Sequence, residues 1–341
     1  MLQCVVRFRL AGLYEAPDGQ VRSRHFVMAK VSRPEVAQRF LAPAPVKLVQ
    51  ALVDQGYVTA DQARLANRLP VASDLTVEAD SAGHTDAGVM ATLLPAMRLI
   101  QHRTHAQYQY DQPVRLGAGG GIGTPETAAC AFLLGADYIV TGSINQCTIE
   151  AGISATAKDM LGRMGVRDTA YAPAGDMFEL GARVQVLKKG VLFPVRANRL
   201  YELWRRHEGI DQIDRKVRLE IQDKFFARSF EDVWLETQEH YARVAPLELE
   251  RARQPRVRMA MIFKWYFVHS TRLALAGDAS QKANYQLHCG PALGAFNQWV
   301  ADTPLASWQD RGVASIAVLL LEQTSQYLHD RLHELNRRFQ R

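Results

Sequence analysis

The sequence predicts an α/β protein: a parallel sheet in the first half, followed by a helical second half. Short β-type runs alternate with capped helices over residues 1–160, the pattern of βαβ units. Residues 114–143 form one strand–loop–helix–strand unit of the usual size. From about residue 151 onward, apolar and charged residues recur at helical spacing instead.

The elements follow in order. Residues 25–31 (HFVMAKV) are strand-like, and Ser32-Arg-Pro-Glu35 opens a helix. There Ser32 can cap, Pro34 suits the first turn and Glu35 completes a capping box. Thr59-Ala-Asp-Gln62 repeats that logic for a helix through about Leu69. Residues 74–79 and 114–118 are further strands. Thr124-Pro125-Glu126 starts a helix ending near Gly135, a good left-handed terminator. Residues 138–141 are the next strand. In the second half, helices are expected over 180–191, 199–207, 216–230, 232–245 and 312–339, with prolines punctuating the gaps. The basic tail, Arg337-Arg338-Phe-Gln-Arg341, reads as a solvated helix end.

Composition excludes several classes. With 341 residues, 48% apolar and 22% charged, the chain is neither disordered nor collagen-like and has room for about two domains. Its four cysteines lie far apart and form no CxxC pair. That argues against a disulfide scaffold and a structural zinc site, and no metal is expected. Arg7 and Arg9 interrupt the start before it reaches the apolar length of an export signal. Apolar runs such as 128–136 fall short of the roughly 20 residues that span a bilayer. The expectation is a cytoplasmic protein with no membrane association. The net charge of +6 comes from 41 basic and 35 acidic residues spread along the chain. It forms no nucleic-acid patch but suits an acidic protein partner.

The chemistry concentrates in three loops. Gly117-Ala-Gly-Gly-Gly-Ile-Gly123 lies between a strand and a helix, where backbone N–H groups can approach a phosphate. As a dinucleotide fingerprint it needs an acidic residue at the end of the next strand, but that strand ends in Thr141-Gly142-Ser143. No tyrosine is followed four residues later by lysine, so the short-chain dehydrogenase pair is also missing. As a barrel phosphate site it fits better, with Gly119–Gly121 in one loop and Gly142-Ser143 in the next. A bare tight turn remains the bland alternative. Upstream, Glu78-Ala-Asp80-Ser81-Ala-Gly83-His84-Thr85-Asp86 follows a strand. A histidine among small residues there can approach a flat ring and donate a proton.

These stretches, with Thr141-Gly-Ser-Ile-Asn-Gln146, resemble the trans-acting enoyl reductases of polyketide and polyunsaturated fatty acid synthases. That group lies among the flavin barrels that include nitronate monooxygenases. Ala29-Lys-Val-Ser-Arg33, Ala172-Pro-Ala-Gly-Asp-Met-Phe-Glu179, Gln185-Val-Leu-Lys-Lys-Gly190, Arg196-Ala-Asn-Arg-Leu-Tyr201 and Cys289-Gly-Pro-Ala-Leu-Gly-Ala-Phe-Asn-Gln-Trp299 extend the resemblance over nearly the whole chain. It implies a (β/α)8 TIM barrel with FMN at the strand carboxyl ends and NADPH or NADH as reductant. The substrate would be an enoyl thioester on an acyl carrier protein. By resemblance His84 is the catalytic histidine. Gly119, Gly120, Gly121, Gly142 and Ser143 hold the FMN phosphate, and Gly83 and Lys30 lie near the flavin.

The four strands match the last four of eight, with residues 1–24 as the helix and turn leading into the first of them. The expected division is therefore a C-terminal half barrel over 1–160 and a mainly helical substrate or partner module over 161–341. An open half barrel exposes two sheet edges, so a homodimer or a missing half on another chain is expected. Besides enoyl reduction, the resemblance leaves two readings: a nitronate-oxidising flavoenzyme, and an inactive or split half barrel that needs a partner.

Overall fold

A computed structural model of the chain describes residues 2–339. Gln340 and Arg341 of the expected basic tail lie outside them. The chain divides into two compact units. Among the described residues, the first comprises 2–80, 85–142 and 318–339, and the second 81–84 and 143–317. The break thus falls at Gly142–Ser143, while the change in sequence texture lies nearer residue 160.

In the first unit, α1 (Leu2–Ala11) leads into a two-stranded antiparallel ribbon, β1 (Leu13–Glu15) with β2 (Val21–Ser23). Then come β3 (Met28–Val31), α2 (Pro34–Leu41), α3 (Val46–Asp54), α4 (Ala60–Leu65), β4 (Asp74–Glu78), α5 (Met90–Tyr108), β5 (Arg115–Gly119), α6 (Pro125–Leu133) and β6 (Tyr138–Val140). Strands β3-β4-β5-β6 pair in that order, all parallel. This is the arrangement of four consecutive βα units of a (β/α)8 barrel, as expected. The inner strands are buried along nearly their whole length, with Leu75, Leu116 and Ala118 fully enclosed. That is the signature of strands covered on both faces. At their amino ends, Arg115 holds Asp74 through two hydrogen bonds of 2.6 and 3.1 Å.

Two capping expectations hold and one does not. Thr59 and Gln62 form a reciprocal capping box at the start of α4. Thr124 caps α6, with Thr127 rather than Glu126 as its partner, and Gly135 adopts φ +98° just past the helix. Ser32 does not cap α2. Arg33 occupies the N-cap position, and the Ser32 hydroxyl donates to Asp86 instead. Ser32 stands one residue before the N-cap position from which a side-chain oxygen accepts from the first N–H groups of the helix, and its hydroxyl proton goes to the carboxylate.

The second unit contains α7 (Ala155–Gly162), β7 (Thr169–Pro173), β8 (Arg183–Leu187), α8 (Phe193–Arg206), α9 (Arg215–Ile221), α10 (Phe230–Val244), α11 (Pro246–Arg251), α12 (Pro255–Ala276), α13 (Pro291–Trp299) and the start of α14 (Val313–Phe339). The helix expected over 180–191 is wrong. Residues 183–187 form β8, which pairs antiparallel with β7. Leu180, Val184, Leu187 and Val191 do recur at helical spacing, but Gly181 and Gly190 adopt left-handed backbones at φ +72° and +76°. These glycines bracket the segment and leave Val184 and Val186 buried as strand residues. The expected helix 216–230 is also interrupted. After α9 the backbone widens into a π-turn and stops at Ala227, φ +50°, before α10 begins. Aromatic rings dominate the core here. Phe178 contacts Tyr201, Trp204 and Phe267 edge-on, with centroids 5.3 to 5.6 Å apart. Among the described residues, no helix is long and apolar enough to cross a membrane.

Candidate active site

The sheet brings one set of expected residues to the carboxyl ends of its strands. Gly119 closes β5 and pairs in register with Val140 of β6. Gly120 has φ +89°, and a Cβ there would lie 2.5 Å from the Ala79 carbonyl oxygen. Only glycine lets this loop pass so close to the end of β4. Gly121, φ +73°, and Gly142 have no heavy atom within 4 Å of the place a Cβ would take. Two exposed, side-chain-free backbone segments therefore stand at the ends of adjacent strands, where backbone N–H groups are open to an anion. The N–H groups of Gly123 and Thr124 donate to the Thr127 hydroxyl at 3.2 and 3.1 Å. The start of α6 is thus partly self-satisfied, and the glycines before it carry the opening.

The same end of the sheet is cross-tied. Lys30 at β3 donates to Glu78 at β4, 2.9 Å away. Arg33 grips Asp86 through two hydrogen bonds of 3.0 and 2.8 Å. The Arg33 and Ser32 hydrogen bonds hold the Asp86 carboxyl at about 2, below its ordinary 3.8. These contacts join the stretches around residues 29–33 and 78–86 and hold the loop after β4, where Ala87 adopts φ +56°.

Gly83, His84 and Ser143 belong to the second unit. His84 Nε2 lies 2.9 Å from Asp176 Oδ1. Asp176 stands in the short β7–β8 connection, which is closed by the Ala174 N–H to the Ala182 carbonyl at 2.8 Å. Gly175 must be glycine there, since a Cβ would lie 2.9 Å from Phe267 Cβ. The Ser143 hydroxyl accepts from the Gly290 N–H at 2.8 Å, just before α13. Gly290 is itself packed close: a Cβ would meet Gln185 Oε1 at 2.8 Å. His288 hydrogen-bonds the backbone of Ala82, two residues before His84, and burial pushes its pKa down. Its Nε2 faces Gln286 Nε2 at 2.9 Å.

Sequence reasoning did not single out Asp176, His288 or Gln286. Asp176 lies within the Ala172–Glu179 stretch of the resemblance and His288 directly precedes Cys289-Gly-Pro, so the resemblance passed over them without giving them work. Pairing Asp176 with His84 requires a contact across 92 residues, which no local pattern encodes.

Residues 207–285 match the family model described as the inserted helical domain of [acyl-carrier-protein] S-malonyltransferase. The polyketide biosynthesis protein PksE of Bacillus subtilis is 49% identical over 332 residues, covering 97% of this chain and 43% of PksE. A polyunsaturated fatty acid synthase component of Thraustochytrium is 42% identical over 306 residues, 88% of this chain and 20% of that protein. The chain thus spans less than half the length of these curated relatives. The crystal structure of the enoyl reductase domain of MlnA, from the macrolactin cluster of Bacillus amyloliquefaciens, is similar with a TM-score of 0.92. It is 40% identical, and the match covers 97% of this chain and 74% of that one. With the four parallel strands, the helical module and nearly every stretch of the resemblance falling within these matches, the chain belongs to the enoyl reductase family of polyketide and polyunsaturated fatty acid synthases.

Proposed function

We propose that the chain serves as an FMN-dependent enoyl reductase acting in trans. It would reduce the α,β-double bond of carrier-protein-bound enoyl thioesters in polyketide or polyunsaturated fatty acid synthesis. The observation that carries this reading is the likeness, over nearly the whole chain, to the MlnA enoyl reductase domain. The open glycine backbone supports the cofactor assignment. FMN, reduced by NADPH or NADH, would supply the hydride that adds to the β-carbon. The backbones of Gly119, Gly120, Gly121 and Gly142 would hold its phosphate. Ser143 would contribute its N–H and its hydroxyl, which accepts from the Gly290 N–H and keeps its own proton to donate. Gly83 would leave room for a flat ring beside the loop. Lys30 would reach the flavin only by leaving Glu78. His84 would deliver the proton to the α-carbon. The net charge of +6 favours an acidic carrier protein. A homodimer in the cytoplasm completes the reading, and sedimentation would test the dimer.

The test is purification with flavin detected by absorbance, then NADPH or NADH oxidation with an enoyl thioester on a carrier protein. His84→Ala with flavin retained should lower turnover about a hundredfold or more, the usual share of a general acid. Unchanged turnover would remove His84 from the mechanism. Oxygen uptake with an alkyl nitronate exceeding enoyl reduction would replace the reading altogether. Flavin bound only after addition of a complementary barrel half would make the chain one part of a split enzyme.

A further inference from the structure

We infer that Asp176 fixes the tautomer of His84, so that the proton available for transfer sits on Nδ1. This deepens the proposed function and rests on His84 being its proton donor. An ionised carboxylate can only accept hydrogen bonds. The 2.9 Å contact between His84 Nε2 and Asp176 Oδ1 therefore places a proton on Nε2. In the neutral imidazole Nδ1 is then bare, and in the imidazolium it carries the second proton. When the Nδ1–H bond breaks and a C–H bond forms at the substrate's α-carbon, the ring returns to the neutral form. Its remaining N–H still points at Asp176. Solvent restores the lost proton.

Both partners are held in place by their surroundings. Asp176 lies in a connection closed by the 174–182 backbone hydrogen bond and anchored by the fully buried Phe178 two residues on. Lys264 adds a second tie through Glu179 at 3.0 Å. On the other side, His288 grips the Ala82 backbone two residues before His84. His288 is kept neutral by burial, so it can donate to Ala82 and accept from Gln286, whose amide in turn accepts from Thr271 at 3.3 Å. In this unit Asp176 contacts His84, and the His288 ring interacts with both charges. The His84 and Asp176 side chains are 46% and 67% exposed. An exposed pair of this kind adds little stability, so its effect lies in orientation. Asp176 is thus a positioning residue.

Two-bond 1H–15N spectra of the histidine-labelled protein, with His84 assigned by its loss in His84→Gln, read the tautomer directly. The neutral wild-type ring should show a protonated Nε2 and a bare Nδ1. Asp176→Ala should shift it toward a mixed population and lower kcat about tenfold, a fraction of a general acid's worth, with KM for the thioester unchanged within about twofold. Asp176→Asn, which keeps an acceptor oxygen, should restore most of both. A neutral His84 protonated at Nδ1, or an Asp176→Ala protein with wild-type spectra and kcat, would overturn the inference. If Asp176→Ala does not fold, the wild-type and Asp176→Asn spectra still decide. Should His84→Ala leave turnover unchanged, the proposed function fails instead, while the spectra report separately on the tautomer.

Discussion

The two units reach stability by different means. The sheet unit is built from small and aliphatic residues, with alanines 128, 129 and 131 fully buried on α6 and Leu75 and Leu116 on the central strands. Its order comes from a parallel ladder in which each strand's neighbour is also its neighbour in sequence. The second unit packs aromatic rings from distant segments, such as Phe178, Tyr201, Trp204 and Phe267. A repeated local grammar suffices for the first. The second depends on contacts that only the assembled core provides.

Truncating the aromatic core tests this comparison most severely. Phe178→Ala removes a fully buried ring with three edge contacts, and such changes cost about 3–5 kcal/mol. Hydrogen exchange should show lost protection in residues 143–317 while amides of β4 and β5 stay protected. Equal loss in both units would break the distinction. Next comes Gly117→Ala, whose Cβ would lie 2.1 Å from the Tyr138 ring. Overpacking of this kind costs about 1–3 kcal/mol, measured as a lower denaturation midpoint. Gly119→Ala, with its nearest neighbour at 3.5 Å, serves as the tolerated control. If the two glycines respond alike, tight cross-strand packing is not what holds this sheet.

The smallest effect concerns the tie between Arg33 and Asp86. The folded carboxyl titrates at about 2 against an ordinary 3.8. A depressed carboxylate contributes stability that is present above its unfolded value and is lost as pH falls through the folded one. Wild type should therefore lose slightly more thermal stability than Asp86→Asn between pH 4 and 2. The pair is too exposed for a large contribution. Parallel curves for the two proteins would show that the tie is not felt in solution.

Much of the sheet unit was legible in advance. All four strands lie close to their expected positions, because glycine loops and capped helices bracket them. The elements that escaped have physical reasons. Helix α12 buries five consecutive residues, Met259 to Phe263, and that unbroken apolar run hides the alternation that marks a surface helix. Strand β8 carries helical and strand spacing at once, and its pairing with β7 decided between them. At the candidate site, the glycines and His84 came from local sequence. Asp176 and His288 did not, since their significance lies in what they touch.

The sequence by itself pointed to the four strands, their order, the glycine loops and the family, while the long helix α5 between β4 and β5 went unread. Each feature it pointed to depends on residues close together in the chain, where turn chemistry, capping and periodicity act. The tertiary structure alone decided that Asp176 faces His84 and that His288 holds the loop before it. It also decided that Ser32 serves Asp86 rather than its own helix. Those outcomes are choices among competing hydrogen-bond partners, and a partner far along the chain becomes available only when folding brings it within reach.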